Sequence, residues 1–208
     1  NLMDHIVMSG HGQGGPLPGG KVVLESGRSV FLPRFDRRDG GAGEGQRGFG
    51  VQLYRSSQGA GSYFQAVSFS EMTPRAENRI ELDVSRKDRW GVPTLRITCV
   101  ANDAELARAG RQADAIREIA DAAKVKLVDV NVRPSPPGMA IHECGTARMG
   151  DAPENSVLDA SNECWDARGL FVTDASSFPS EGTQNPTLTL MALTARAVHY
   201  AVTRNRVD

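Results

Sequence analysis

Two short stretches combine side chains that can move a proton with backbone that can hold negative charge. Residues 142–150 read HECGTARMG and residues 184–189 read QNPTLT. His142 is one of only four histidines in the chain and stands before a run of small, turn-forming residues. A neutral imidazole accepts a proton near neutral pH. The Asn185 amide can donate a hydrogen bond to an oxygen that is acquiring negative charge. Asn185-Pro186 also reads as a helix start, with Asn in the capping position and Pro as first helical residue. A helix N-terminus carries partial positive charge and unpaired N–H groups, Thr187 among the donors. A base, a donor and a positive backbone end together suit removal of a proton from an alcohol. The residues alone also allow a plainer account: Asn185 caps its helix, Asp174 bonds to a turn, and His142 fills a pocket.

Two motifs invite other chemistry and lack its context. Gly10-His11-Gly12-Gln13-Gly14-Gly15 matches GxGxxG. A dinucleotide fingerprint needs a strand before it and a helix after it. Pro16 and Pro18 follow at once, so the stretch reads as a glycine-rich loop. His142-Glu143 begins like HExxH, but Thr146 stands where the second histidine belongs, and no metal site is expected. His5 and His11, in or beside the glycine-rich stretch, read as solvated. Cys99, Cys144 and Cys164 form neither a disulfide framework nor a CxxC pair, which leaves the compartment open between cytoplasm and periplasm.

The elements that must position these residues follow from pattern. The 208 residues are 39% hydrophobic and 24% charged, enough for a packed core. With net charge −1 the chain has no basic footprint, which argues against a nucleic-acid partner. No apolar run is long enough to span a bilayer, and a soluble protein is expected. Residues 1–20 read as a connecting loop. KVVLESGRSVFL suggests a hairpin around Ser26-Gly27, and residues 36–48 suggest a loop. FGVQLY, SYFQAVSFS, RIELDV and TLRITCV read as strands, the last with Leu95, Ile97 and Cys99 on one covered face. Asn102 or Asp103 caps a helix running to about Lys124, in which the apolar Leu106, Ile116, Ile119 and Ala123 recur at roughly helical spacing. KLVDVNV returns to strand. GLFVTD reads as a short buried strand ending at Asp174, and a last helix starts near Pro186.

At these motifs the chain resembles the glucose–methanol–choline family of flavin oxidoreductases. NLMDH at residues 1–5 resembles an N-L-x-D-H segment midway along family members. HECGTARMG resembles the segment that holds the family's active-site histidine. TDASSFP resembles a flavin contact usually built as Asp-Gly-Ser, with Ala175 here in place of the commoner Gly. QNPTLT resembles the second active-site position, filled by His or Asn. EMTPRAENRIELDVSRKDRWGVPTLRI resembles part of the substrate domain. The closest flavour is that of glucoside 3-dehydrogenases and pyranose oxidase-like sugar oxidoreductases.

The resemblance implies an α+β fold. An antiparallel sheet with packed helices forms a substrate domain over 21–141. Residues 142–208 supply the active-site loop and the C-terminal strand and helix of an FAD-binding domain. The N-terminal part of that domain is absent here, and the chain is expected to be a C-terminal portion. The resemblance further implies FAD as cofactor, a sugar or glycoside as substrate, and a flavin-binding portion in the same protein or a companion chain. His142 and Asn185 would act at the substrate hydroxyl, and Asp174, Ala175, Pro186 and Thr187 would contact the flavin. The rival expectation is a non-catalytic scaffold or carbohydrate-binding subunit that keeps the fold.

Overall fold

The computed structural model describes residues 1–15, 29–35, 48–58 and 61–204. The turn read at Ser26-Gly27 and loop residues 36–47 lie outside them. The described residues form seven strands and two long helices: β1 (Ile6–Gly14), β2 (Val30–Phe35), β3 (Phe49–Gln58), β4 (Gly61–Ser70), β5 (Arg79–Lys87), β6 (Pro93–Thr98), α1 (Asp103–Ala122), β7 (Val125–Val130) and α2 (Thr187–Arg204). Five strands make one antiparallel sheet in the order β2-β3-β4-β1-β7, and β5 and β6 pair as a separate hairpin. The antiparallel sheet with helices agrees with the class read from sequence.

The segment read as a connecting loop is corrected. Its residues 6–14 form β1, which sits between β4 and β7 inside the sheet. Glycine is depleted in strands, so composition pointed the wrong way. Packing explains the glycines. A Cβ on Gly10 would lie 2.8 Å from Ile116 of α1, and one on Gly12 would lie 2.7 Å from Val125 and 2.8 Å from the Lys126 carbonyl. Alternate glycines let α1 and β7 approach the strand closely. GxGxxG here is therefore part of a sheet ladder, not a phosphate loop.

α1 starts where its capping signal puts it. The Asn102 side chain accepts from the Glu105 backbone N–H at 2.8 Å, and Glu105 accepts from the Asn102 N–H at 2.8 Å. This reciprocal box satisfies two donors the helix would otherwise leave orphaned. Glu105 also accepts from Thr73 N–H and Arg75, and Gln112 bonds Ser68, Ser70 and the Ile6 carbonyl. The inner face of α1 is thus partly polar. Of the apolar positions at helical spacing, Leu106 is exposed, while Ile116 is fully buried. The core joins Met3, Ile6, Met8, Phe49, Val51, Phe64, Ile116, Cys144 and Phe178.

Two apolar faces stay open. Ile80 pairs with Ile97 and Leu82 with Leu95 on one face of the β5–β6 hairpin, and all four are exposed. The expected alternation is present, but nothing among the described residues covers that face. In α2 only Ala197 is buried, while Leu188, Met191, Val198 and Val202 are exposed. The buried strand expected over GLFVTD is also corrected. Phe171 makes an isolated bridge with Glu163, Leu170 is exposed, and no ladder forms. Its backbone groups are met mainly by side chains and turn contacts instead, with Asn162 donating to the Val172 carbonyl and Thr194 to the Thr173 carbonyl, so among the described residues no neighbouring strand extends the bridge. Among the described residues, no helix is long and apolar enough to cross a membrane.

Candidate active site

The His142 loop is stitched on both sides. Met3 and Cys144 exchange backbone hydrogen bonds at 2.9 and 3.0 Å. The N–H groups of Gly145, Ala147 and Met149 donate to the carbonyls of Ala175, Ser176 and Ser177 at 3.2, 2.9 and 2.8 Å. The first set brings residues 1–5 to the loop, and the second brings the segment after Asp174. Gly145 sits at φ +89°, where an L side chain is strained, and a Cβ would lie 2.4 Å from the Asn1 carbonyl oxygen. Ile141, just before His142, has φ +61°, an uncommon conformation for a β-branched residue.

His142 is half-buried, with each ring nitrogen facing a partner. Its Nε2 lies 3.3 Å from the Asn185 amide nitrogen, and its Nδ1 lies 2.8 Å from Nδ1 of His5. The two imidazoles meet edge to face, 4.9 Å apart at 87°. Burial holds the His142 pKa below the ordinary histidine value, while the charges of Asp4 and Glu143 pull the other way. The fold brings the two candidates of the sequence reading, 43 residues apart, into one contact.

Behind His142 lie two residues that the sequence reading did not place there. His5, read as solvated, is fully buried. Its backbone N–H donates to Asp4, and its Nε2 lies 3.3 Å from the Gly182 carbonyl. Burial first, then the neighbouring His142, lowers its pKa to about 4. Glu181, outside the expected site, has a fully buried side chain with Oε1 3.3 Å from His5 Nδ1. Neither carboxyl oxygen has a directed hydrogen bond among the described residues. Burial, reinforced by Asp4 and Glu143, raises its pKa to about 9. Nothing in residue type or spacing marks this pair; only NLMDH pointed to the region at all.

These three side chains place one ligand-type atom each within 4.8 Å of one another. Two nitrogens bound tetrahedrally to a zinc ion at about 2.0–2.1 Å stand roughly 3.3 Å apart. The 2.8 Å between the two Nδ1 atoms is instead the length of a hydrogen bond. The arrangement suits a shared proton better than an ion.

A stability test follows from Glu181. An acid whose folded pKa is raised contributes most below its unfolded value near 4.5. That contribution is lost as pH rises toward about 9. Glu181→Gln removes the titrating group, and its melting temperature should exceed wild type by a margin that grows from pH 5 to pH 9. At pH 7 the gain should be about 1–3 kcal/mol. A constant or shrinking margin across that range would contradict the buried neutral acid.

The remaining expected residues line the same edge. Asp174 is exposed and caps a 3-10 turn at Ala175–Ser177, its carboxylate accepting from Ser176 N–H at 2.8 Å. Thr194 of α2 donates to the Thr173 carbonyl at 2.9 Å, so this turn and α2 are neighbours. α2 begins at Thr187, and the Pro186 carbonyl accepts its first helical bond, from Leu190 N–H at 2.9 Å. Pro186 therefore flanks the helix rather than opening it. Asn185 lies outside the capping position, its amide turned to His142 instead. The capping role read for Asn185 is corrected.

Comparison with known proteins agrees with this architecture. Residues 74–194 match the GMC oxidoreductase family. The chain is 38% identical over 141 residues to 2-methyl-1,2-propanediol dehydrogenase of Mycolicibacterium austroafricanum, covering 67% of this chain and 25% of that protein. It is 36% identical over 126 residues to C-glycoside 3-oxidase of Arthrobacter globiformis, covering 58% and 23%. The Gluconate 2-dehydrogenase flavoprotein of Pantoea cypripedii is 30% identical over 139 residues, with 62% and 22% covered. The chain thus spans about a quarter of the length of these relatives. The crystal structure of pyridoxine 4-oxidase from Mesorbium loti superposes with a TM-score of 0.56 at 19% identity, over 100% of this chain and 43% of that one, a likeness of fold. More than half of the chain lies within the matched family region, and the chain belongs to the GMC oxidoreductase family.

Proposed function

We propose that this chain carries the substrate-facing part of an FAD-dependent oxidoreductase that oxidises a hydroxyl of a sugar or glycoside. The observation that carries the reading is the His142–Asn185 contact at the exposed edge beside the start of α2. A scaffold or binding subunit needs neither side chain. Relatives named as a C-glycoside 3-oxidase and a diol dehydrogenase favour a hydroxyl substrate.

The residues at this edge fit a flavin. The first turn of α2, with Thr187, Leu188 and Thr189 exposed, has backbone N–H groups without helical partners. Asp174 and the small Ala175 stand beside it on the turn that holds the His142 loop. Asp174, Ala175, Pro186 and Thr187 would hold the ring and ribityl region, with the α2 N-terminus favouring negative charge by about 0.5–2 kcal/mol. When bound, the flavin supplies the hydride acceptor. The open apolar side of α2 supports a flavin-binding portion packed against it, from the same protein or a companion chain. Burying one Leu, Met or Val side chain there contributes about 1.5–3 kcal/mol.

His142 takes the substrate hydroxyl proton on Nε2. The O–H bond breaks, its electron pair stays on oxygen, and the imidazole becomes positive. Asn185 donates to the same oxygen. The lowered pKa keeps His142 unprotonated, and so ready as a base, at neutral pH.

Asn185 variants separate its chemistry from stability. Asn185→Ala should slow flavin reduction by about 1–3 kcal/mol of lost stabilisation. Because the side chain does not cap α2, stability should change by less than about 0.5 kcal/mol. Asn185→Asp should stay folded yet be slower still, since its charge opposes an alkoxide. Stopped-flow reduction beside thermal melts measures both. A wild-type rate in Asn185→Asp would remove Asn185 from the reaction.

A further inference from the structure

A base is only as useful as the nitrogen it leaves bare, and here the neighbouring groups decide which nitrogen that is. The argument starts from Gly182. A carbonyl oxygen can only accept a hydrogen bond, and it lies 3.3 Å from Nε2 of His5. His5 must therefore carry its proton on Nε2. A neutral imidazole has one N–H, so Nδ1 of His5 holds a lone pair. Burial and the adjacent His142 keep His5 neutral at ordinary pH. At 2.8 Å from that lone pair stands Nδ1 of His142, which must then be the donor. His142 in turn keeps Nε2 bare, facing the Asn185 amide nitrogen at 3.3 Å. Every contact in this chain then has one donor and one acceptor. The reverse assignment sets a His5 lone pair against the Gly182 oxygen.

We propose that His5 is a positioning residue that holds the proton of neutral His142 on Nδ1, so that Nε2 is presented unprotonated toward the substrate hydroxyl. A neutral histidine side chain free in water favours the opposite tautomer, with its proton on Nε2, so the assignment is imposed by the fold. The partner on one ring nitrogen selects the state of the other. Glu181 does not displace His142 from the His5 lone pair: it approaches to 3.3 Å without hydrogen-bond alignment. The Met3–Cys144 bridge and the Asp4 carboxylate, which accepts from His5 N–H at 2.8 Å and Gly138 N–H at 2.7 Å, keep the two rings in register. The consequence for catalysis rests on His142 being the base; the tautomer itself does not.

The test is the side-chain nitrogen spectrum of the chain labelled with ¹⁵N-histidine, read at pH 7.5 through two-bond proton–nitrogen correlations. Wild-type His142 should show Nδ1–H and a bare Nε2. His5→Leu removes the acceptor and should return His142 toward the Nε2–H form. His5→Asn places an amide oxygen where Nδ1 was and should retain the Nδ1–H form. In the flavin-loaded protein, reduction should slow by about 10–100-fold in His5→Leu, with substrate affinity unchanged and most of the rate recovered in His5→Asn. A wild-type His142 in the Nε2–H form overturns the proposal, and decides the matter even if His5→Leu fails to fold. So does a folded His5→Leu that keeps the Nδ1–H tautomer. Failure of the catalytic reading shows elsewhere, as an unchanged reduction rate in His142→Ala.

Discussion

His142→Ala should slow flavin reduction by about 10²–10⁴-fold, the scale of a lost general base. The competing groups are poor substitutes. Glu143 is exposed to solvent, and among the described residues no contact ties its carboxylate to Asn185. Glu181 and His5 are fully buried behind His142, and neither can meet a hydroxyl that approaches from the Asn185 side. Glu181 is also protonated at neutral pH. The pH dependence has a definite sign. Reduction should rise with pH as His142 loses its proton and should level off below the ordinary histidine value, because burial lowers its pKa. Stability should fall by about 1–3 kcal/mol, since the buried Nδ1 of His5 loses its donor, and the variant should remain folded. Near-normal reduction in the folded variant would remove the proposed chemistry.

Gly145→Ala should cost about 3–5 kcal/mol and take the site with it. Two penalties act together. The backbone at φ +89° disfavours any L side chain, and the added Cβ would sit 2.4 Å from the Asn1 carbonyl oxygen and 2.5 Å from the Met3 methyl. The Met3 side chain can move, but the backbone carbonyl cannot move without breaking the Met3–Cys144 pair. That pair carries residues 1–5 to the active-site loop, so relief of the clash separates His5 from His142. Chemical denaturation should show the loss of stability, and the His142 tautomer should revert with it. Melting within about 1 °C of wild type would show that the loop yields more easily than this packing implies.

Local rules read well where the determining contacts are local. The capping box of α1 spans three residues, Asn102 to Glu105, and was visible as such. The strands of the sheet alternate over a few positions, and α2 announces itself through Asn-Pro and apolar spacing. The family was also legible, because its motifs HECGTARMG and QNPTLT are contiguous. Where a residue's surroundings come from far along the chain, the reading failed. β1 looked like a loop because its glycines make sense only with Ile116 pressed against Gly10. GLFVTD looked like a strand because apolar residues in a row suit one, yet the described residues provide no ladder for it.

What the amino-acid order determined by itself is thus most of the elements, β1 and the segment before Asp174 excepted, and the identity of the two groups proposed to handle the proton. The tertiary structure decided which nitrogen of His142 is free to do so. That choice depends on His5, 137 residues away, and on the Gly182 carbonyl, 177 residues from His5. The physical reason is that a tautomer is set by the direction of hydrogen bonds, and these bonds exist only once the fold has closed around them.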